Sequence, residues 1–279
     1  MSNQTLYLRK NRGPRYRLAI RFVLLVSLAV AQIVSAQDTT QFPAQAKSVE
    51  RILVPVPKEI FRLLDEFQNA NWRAVERPDI VRWKSYGDQV QIALLLGNVV
   101  AEGFIAMEAK DDDEVKDVGI RVLSLAQGLG VKQAALRRSK SITDHAGAGE
   151  WSAARQEWDG VLSDLEKGMI ALKSEPLSQL VSISGWLRGT DALCVLILQN
   201  YSPEHAELIR QPAMIEHLHK QILNMSPEMR NHSMVVQMDK GLGQIRSLLD
   251  ANTGPLTAEK VTEIGKICDQ LVKLSSQRP

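Results

Sequence analysis

Three charged residues, Glu102, Arg188 and Asp191, stand inside otherwise apolar runs of this 279-residue chain. An ionised side chain taken out of water is costly unless an opposite charge or several hydrogen bonds meet it, so each of the three needs a partner. Two arrangements would supply one. The first is an internal ion network that sets the register of the two apolar segments. The second is a polar pocket in the core, in which Arg188 would hold an anionic ligand through two parallel N–H bonds.

A second group lies between residues 214 and 238, where Met214, Met225, Met229, Met234 and Met238 occur with His217, His219 and His232. Thioether and imidazole groups suit copper and can serve as axial ligands of haem iron, with Met214, His217, His219, Met225 and Met229 as the candidate ligands. Against that reading, Met214, Ile215, Leu218 and Ile222 recur at helical spacing, and methionine is a common filler of apolar cores. No HExxH or other compact His and carboxylate set is present for zinc.

The remaining chemistry is excluded piece by piece. Cys194 and Cys268 could form one disulfide in an oxidising compartment, or be buried thiols; the apolar run from Ala192 to Leu198 favours the thiol for Cys194. The absence of CxxC and CxxCH argues against a thioredoxin-like pair and covalently attached haem. There is no GxSxG turn, and His145 has no nucleophile beside it in the sequence. Gly241-Leu242-Gly243 lacks the other glycines and the Lys-Ser/Thr of a phosphate loop. The run Asp111-Asp112-Asp113-Glu114 precedes a helical pattern, where acidic residues complement the helix dipole without a cation. Outside the metal or haem reading, no cofactor is expected.

The start of the chain has the layout of an export signal. Arg9, Lys10, Arg12, Arg15, Arg17 and Arg21 form a basic stretch with no acidic residue, followed by an apolar run from Phe22 to Val34. That run is too short to cross a hydrocarbon layer, which takes about 20 residues, and it ends in Val34-Ser35-Ala36. The expectation is a signal peptide over residues 1–36, cleaved before Gln37, and a mature chain that is periplasmic or extracellular with no stable membrane anchor. Without those six basic residues, 28 Lys and Arg remain against 32 Asp and Glu, a net of −4. The basic excess belongs to the signal, so nucleic acid is excluded as a partner.

The elements that must position these residues are helical. Aromatic residues are few, and good helix formers are abundant with no alternating β-branched strands. Residues 37–56 read as an extended lead-in broken by prolines. A helical domain follows over 57–279, beginning with an amphipathic helix on Ile60, Leu63, Leu64 and Phe67. From Val90 to Met107 the strongly polar residues are Gln91, Asn98 and Glu102, on one narrow stripe, so this helix should be central. Helices are expected over 115–129, 131–143, 150–172, 177–198, 204–224, 227–249 and 257–274, with a loop from His145 to Gly149. Gly97, Gly103, Gly185 and Gly189 inside the two most apolar helices point to close backbone approach.

Gln91 to Gly97 and Gln179 to Gly185 match in Gln, aliphatic residues and Gly at an offset of 88. An internal duplication would give two four-helix units, 88–175 and 176–276, with the apolar helices paired at the centre. The segments Gln91–Asp111 and Gln179–Asp191, above all Gly185-Trp186-Leu187-Arg188-Gly189-Thr190-Asp191, resemble a family of secreted all-helical bacterial proteins with no assigned activity. The resemblance implies an all-α bundle of about eight helices and carries no mechanism. The functional expectation is a non-enzymatic extracytoplasmic binding or scaffold protein with a protein or small-molecule partner. The alternative is a soft-metal or haem-binding protein using residues 214–238.

Overall fold

The computed structural model describes residue 67, residues 70–250 and residues 254–279, which belong to one unit, Leu53–Pro279. The expected signal peptide, the expected lead-in and nearly all of the helix expected around Ile60 to Phe67 lie outside the described residues.

The fold is an all-α helical bundle. Among the described residues the eight long helices are α1 (Gln89–Ala109), α2 (Asp112–Gly128), α3 (Lys132–Gly147), α4 (Trp151–Ala171), α5 (Glu175–Gln199), α6 (Pro212–Leu223), α7 (Ser233–Leu249) and α8 (Ala258–Leu274). Capping side chains start several of them: Asp88 accepts from the Gln91 N–H, Asp111 from the Glu114 N–H and Thr257 from the Lys260 N–H. Asp112, Asp113 and Glu114 thus fill the first turn of α2. Glycines at positive φ, Gly130 and Gly149, let the chain turn between α2 and α3 and between α3 and α4.

The most extensive packing joins α1 to α5. Asn98 bonds Ser184 and Glu102 bonds Arg188 at one constant separation, so the two helices run parallel. Both are long and apolar enough to cross a membrane by length and composition, yet their most apolar windows are 100% and 94% buried inside the protein. Helices apolar on nearly every side take the centre because only there can every face leave water. Three long helices follow each: α2, α3 and α4 after α1, and α6, α7 and α8 after α5. Gly97 and Gly185, the pair related by the offset of 88, meet where the central helices touch.

Three segments depart from the sequence reading. The helix expected over 204–224 is a short helix, Pro203–Glu207, followed by α6, because Pro212 cannot donate a backbone hydrogen bond and begins a new helix. The helix expected over 227–249 is divided at Asn231 and His232 into Pro227–Arg230 and α7, and there the His232 side chain accepts from the Met234 N–H and caps α7. α3 runs on to Gly147, through the first three residues assigned to a loop, so His145 occupies its last turn, paired with Glu150 at 2.6 Å.

Candidate functional site

The polar stripe of α1 lies at 0% exposure and faces three different parts of the chain. Gln91 donates through Nε2 to the carbonyls of Lys84 (2.9 Å) and Ser275 (2.7 Å), and its Oε1 accepts from the Tyr86 N–H (3.0 Å). Asn98 donates to Ser275 Oγ (2.8 Å) and the Val272 carbonyl (3.2 Å), while its Oδ1 accepts from the Ser184 hydroxyl (2.7 Å). These bonds tie α1 to α5, to the carboxyl end of α8 and to the segment that precedes α1. Each group is satisfied, as buried amides require.

Glu102, Arg188 and Asp191 come together in that core. Arg188 donates from Nε to Glu102 Oε1, from Nη1 to Asp191 Oδ2 (3.2 Å) and from Nη2 to the Val75 carbonyl (2.6 Å). The other Glu102 oxygen accepts from the backbone N–H of Arg77 (3.0 Å). Arg77 in turn reaches Asp269 on α8 (2.8 Å) and stands 3.5 Å from Asp191. Burial pushes the Glu102 carboxyl up, and the Arg188 charge pulls it back down. Burial also works against the Arg188 charge, and Glu102 and Asp191 outweigh it, raising the guanidinium further. An arginine does not deprotonate in a protein, so the core keeps this positive charge, with Glu102 and Asp191 as the acidic groups that face it. Every nitrogen of Arg188 has a protein partner, which makes the cluster a clamp between α1, α5 and the segment 75–77.

Arg77, Asp269 and the Val75 carbonyl had no sequence signal. Arg77 is an ordinary charge before a proline, and Asp269 sits on the polar side of an amphipathic helix. Their role follows from long-range packing alone.

Glu76, the neighbour of Val75, has one buried oxygen without a hydrogen-bond partner. Burial, then Asp111, raises its carboxyl from an ordinary 4.5 to about 7; Arg73 opposes, and Glu114 and Glu102 add to the rise. A carboxyl with a raised folded-state pKa takes up a proton on folding, so its contribution is most favourable below about 4.5 and is lost as pH rises to about 7. Glu76→Gln should therefore gain thermal stability over wild type progressively across that window. Melting curves between about pH 4 and about pH 8 check this, and a difference independent of pH would overturn it.

The Met and His segment spans α6, the short helix Pro227–Arg230 and α7. Met214 and Met225 are buried in the core, and Met229 packs against it. His219 Nδ1 lies 2.6 Å from Asp239 on α7. The Nε2 atom of His217 is buried without a partner, and burial lowers the pKa of that imidazole. Among the described residues no group of three His, Cys, Asp or Glu is placed to hold a metal ion. Cys194 and Cys268 are both free and buried, and burial pushes both thiols well up, which keeps them in the unreactive protonated form.

A concave apolar feature lies elsewhere among the described residues. A groove of about 430 Å³ runs between α2 and α3, with Trp158 and Val161 of α4 at its base. Val115, Val122 and Ile142 give it an apolar lining, and Ile120 at its edge is 68% exposed. The Trp158 indole is fixed from below by its N–H donating to the Val100 carbonyl (3.1 Å) and by an edge-on contact with Phe104. Gly119 also lines the groove, and a Cβ there would meet nothing within 4 Å. Sequence reasoning missed the site because it is made by space between helices, a property of neither helix alone.

The fold and these sites define an all-α bundle with an internally paired polar core and an open apolar groove on one flank. No family model matches the chain, and comparisons with curated proteins and with solved structures find no similar protein.

Proposed function

We propose that this is a non-enzymatic, exported binding protein that carries a small apolar ligand in the groove between α2 and α3. The observation that supports the reading is the groove itself, whose volume of about 430 Å³ falls within the usual range for ligand pockets. It has a fixed aromatic base and an apolar lining. The rigid central pair α1 and α5 supplies a scaffold on which the outer helices are held.

Arg188 is not the ligand anchor in this reading, since its nitrogens are already occupied by Glu102, Asp191 and Val75. Export rests on the basic and apolar layout of residues 1–36.

Native mass spectrometry of the protein from the exported fraction tests both parts. The expected species is a chain beginning at Gln37 with a bound small molecule that is lost in the Gly119→Leu variant, whose side chain would occupy the groove. A mass that retains residues 1–36 would overturn export and cleavage. An empty wild-type chain that takes up no apolar ligand on addition would overturn the carrier reading.

A further inference from the structure

We propose that residues 73–77 form a pH-dependent latch over the buried Glu102–Arg188 contact, seated while the Glu76 carboxyl holds its proton and loosened when that carboxyl ionises. The segment lies between two apolar anchors, Trp72 at 4% exposure and Ile80 at 0%, the second in the short helix Pro78–Arg82. Between these anchors it makes two backbone contacts to the core. The Val75 carbonyl accepts from Arg188 Nη2 (2.6 Å), and the Arg77 N–H donates to Glu102 Oε2 (3.0 Å). Glu76 is the residue between them, so a force on its side chain acts on both.

The surroundings of Glu76 are acidic. Asp111 and Glu114 face it from the start of α2 and Glu102 from α1, with Arg73 of its own segment as the opposing cation. Arg73 is largely exposed and already holds Asp111 at 2.7 Å, so water and that pairing weaken its pull on Glu76. Arg77 directs its guanidinium to Asp269 and Asp191 instead. One oxygen of Glu76 and one of Glu114 are buried with no hydrogen-bond partner. Burial raises the Glu114 carboxyl as well, with Glu102, Asp117 and Asp111 adding to the rise and Arg82 opposing it. An ionised Glu76 therefore sets a poorly solvated charge beside like charges, and a protonated one does not.

Two opposing forces act on the segment. The buried Val75 side chain and the two backbone bonds hold it down, while lifting it carries the Glu76 carboxyl into water. The seated carboxyl titrates at about 7 and a solvated one at 4.5, so seating is most favourable below 4.5 and weakens as pH rises to about 7. Lifting takes one donor from Glu102 and one acceptor from Arg188 and admits water to both.

Hydrogen exchange of single amides, followed by nuclear magnetic resonance on the purified protein, tests the latch. After correction for intrinsic exchange, the Arg77 amide should lose protection about tenfold for each pH unit between about 5 and about 7 and level off above. It should also stay at least about tenfold less protected than the Leu187 amide of α5, because lifting residues 73–77 leaves α5 folded. Glu76→Gln should remove most of the fall with pH. Arg77 protection that does not change with pH in wild type, or a fall of unchanged size in Glu76→Gln, would overturn the latch. Equal protection at Arg77 and Leu187 would also overturn it, since exchange at Arg77 would then require unfolding of the whole bundle. Glu76 is partly exposed and glutamine keeps its shape, so circular dichroism of the variant should match wild type.

Discussion

Gly97→Ala is expected to destabilise the protein by about 3 kcal/mol, near the upper end for overpacking a core. A Cβ at Gly97 would stand 2.1 Å from the Val181 carbonyl oxygen, 2.9 Å from the Gly185 nitrogen and 3.0 Å from Ser184 Cβ. The first two are backbone atoms of α5 and cannot rotate away, so α1 and α5 must separate. Separation would also stretch the bonds from Asn98 to Ser184 and from Glu102 to Arg188, which follow Gly97 in the same interface. Gly243→Ala is the matched control, because position 243 is also inside a helix and a Cβ there meets nothing within 4 Å. It should gain up to about 1 kcal/mol from the higher helix propensity of alanine. Urea denaturation of both variants measures the contrast, and equal effects would show that α1 and α5 are not in backbone contact at Gly97.

The second large effect is at Arg188. Arg188→Met keeps much of the apolar stem but leaves the Glu102 carboxylate buried with only the Arg77 N–H to meet it, at an expected cost of about 3–5 kcal/mol. The Val75 carbonyl loses its donor as well. Adding Glu102→Leu removes the uncompensated charge, so the double variant should recover part of the loss, a coupling of about 1–3 kcal/mol. The pH dependence has a definite sign. Without the guanidinium, burial raises the Glu102 carboxyl further, with only Arg77 opposing, so Arg188→Met should be least stable at high pH and regain stability as pH falls through the raised folded-state value. Wild type should show the same dependence more weakly, because Arg188 opposes the rise there. A fully stable Arg188→Met variant that had lost ligand binding would contradict the clamp and restore the anion-pocket reading.

Much of this architecture was legible before any coordinates. The apolar stretch from Val90 to Met107 with its single polar stripe marks a helix surrounded by protein, and every residue in that range is buried. The charges of Glu102, Arg188 and Asp191 in apolar runs required partners, and the three are found together. The break at Pro212 was also present in the sequence, where amphipathic spacing on both sides disguised it. A proline at the start of a helix leaves the flanking periodicity intact, so pattern alone runs the two pieces together.

What the chain by itself determined is its helical class and the identity of the two innermost helices, because hydrophobic periodicity is local and burial follows from it directly. What only the tertiary structure decided is which polar atoms meet and where space is left. Arg77, Asp269 and the Val75 carbonyl complete the core clamp from positions far along the chain whose side chains carry no local mark of burial. The groove exists because α2 and α3 stand apart over Trp158 with Gly119 between them. Both features depend on the relative placement of whole helices, and that placement is set by packing summed over the entire core, which no short stretch of sequence encodes.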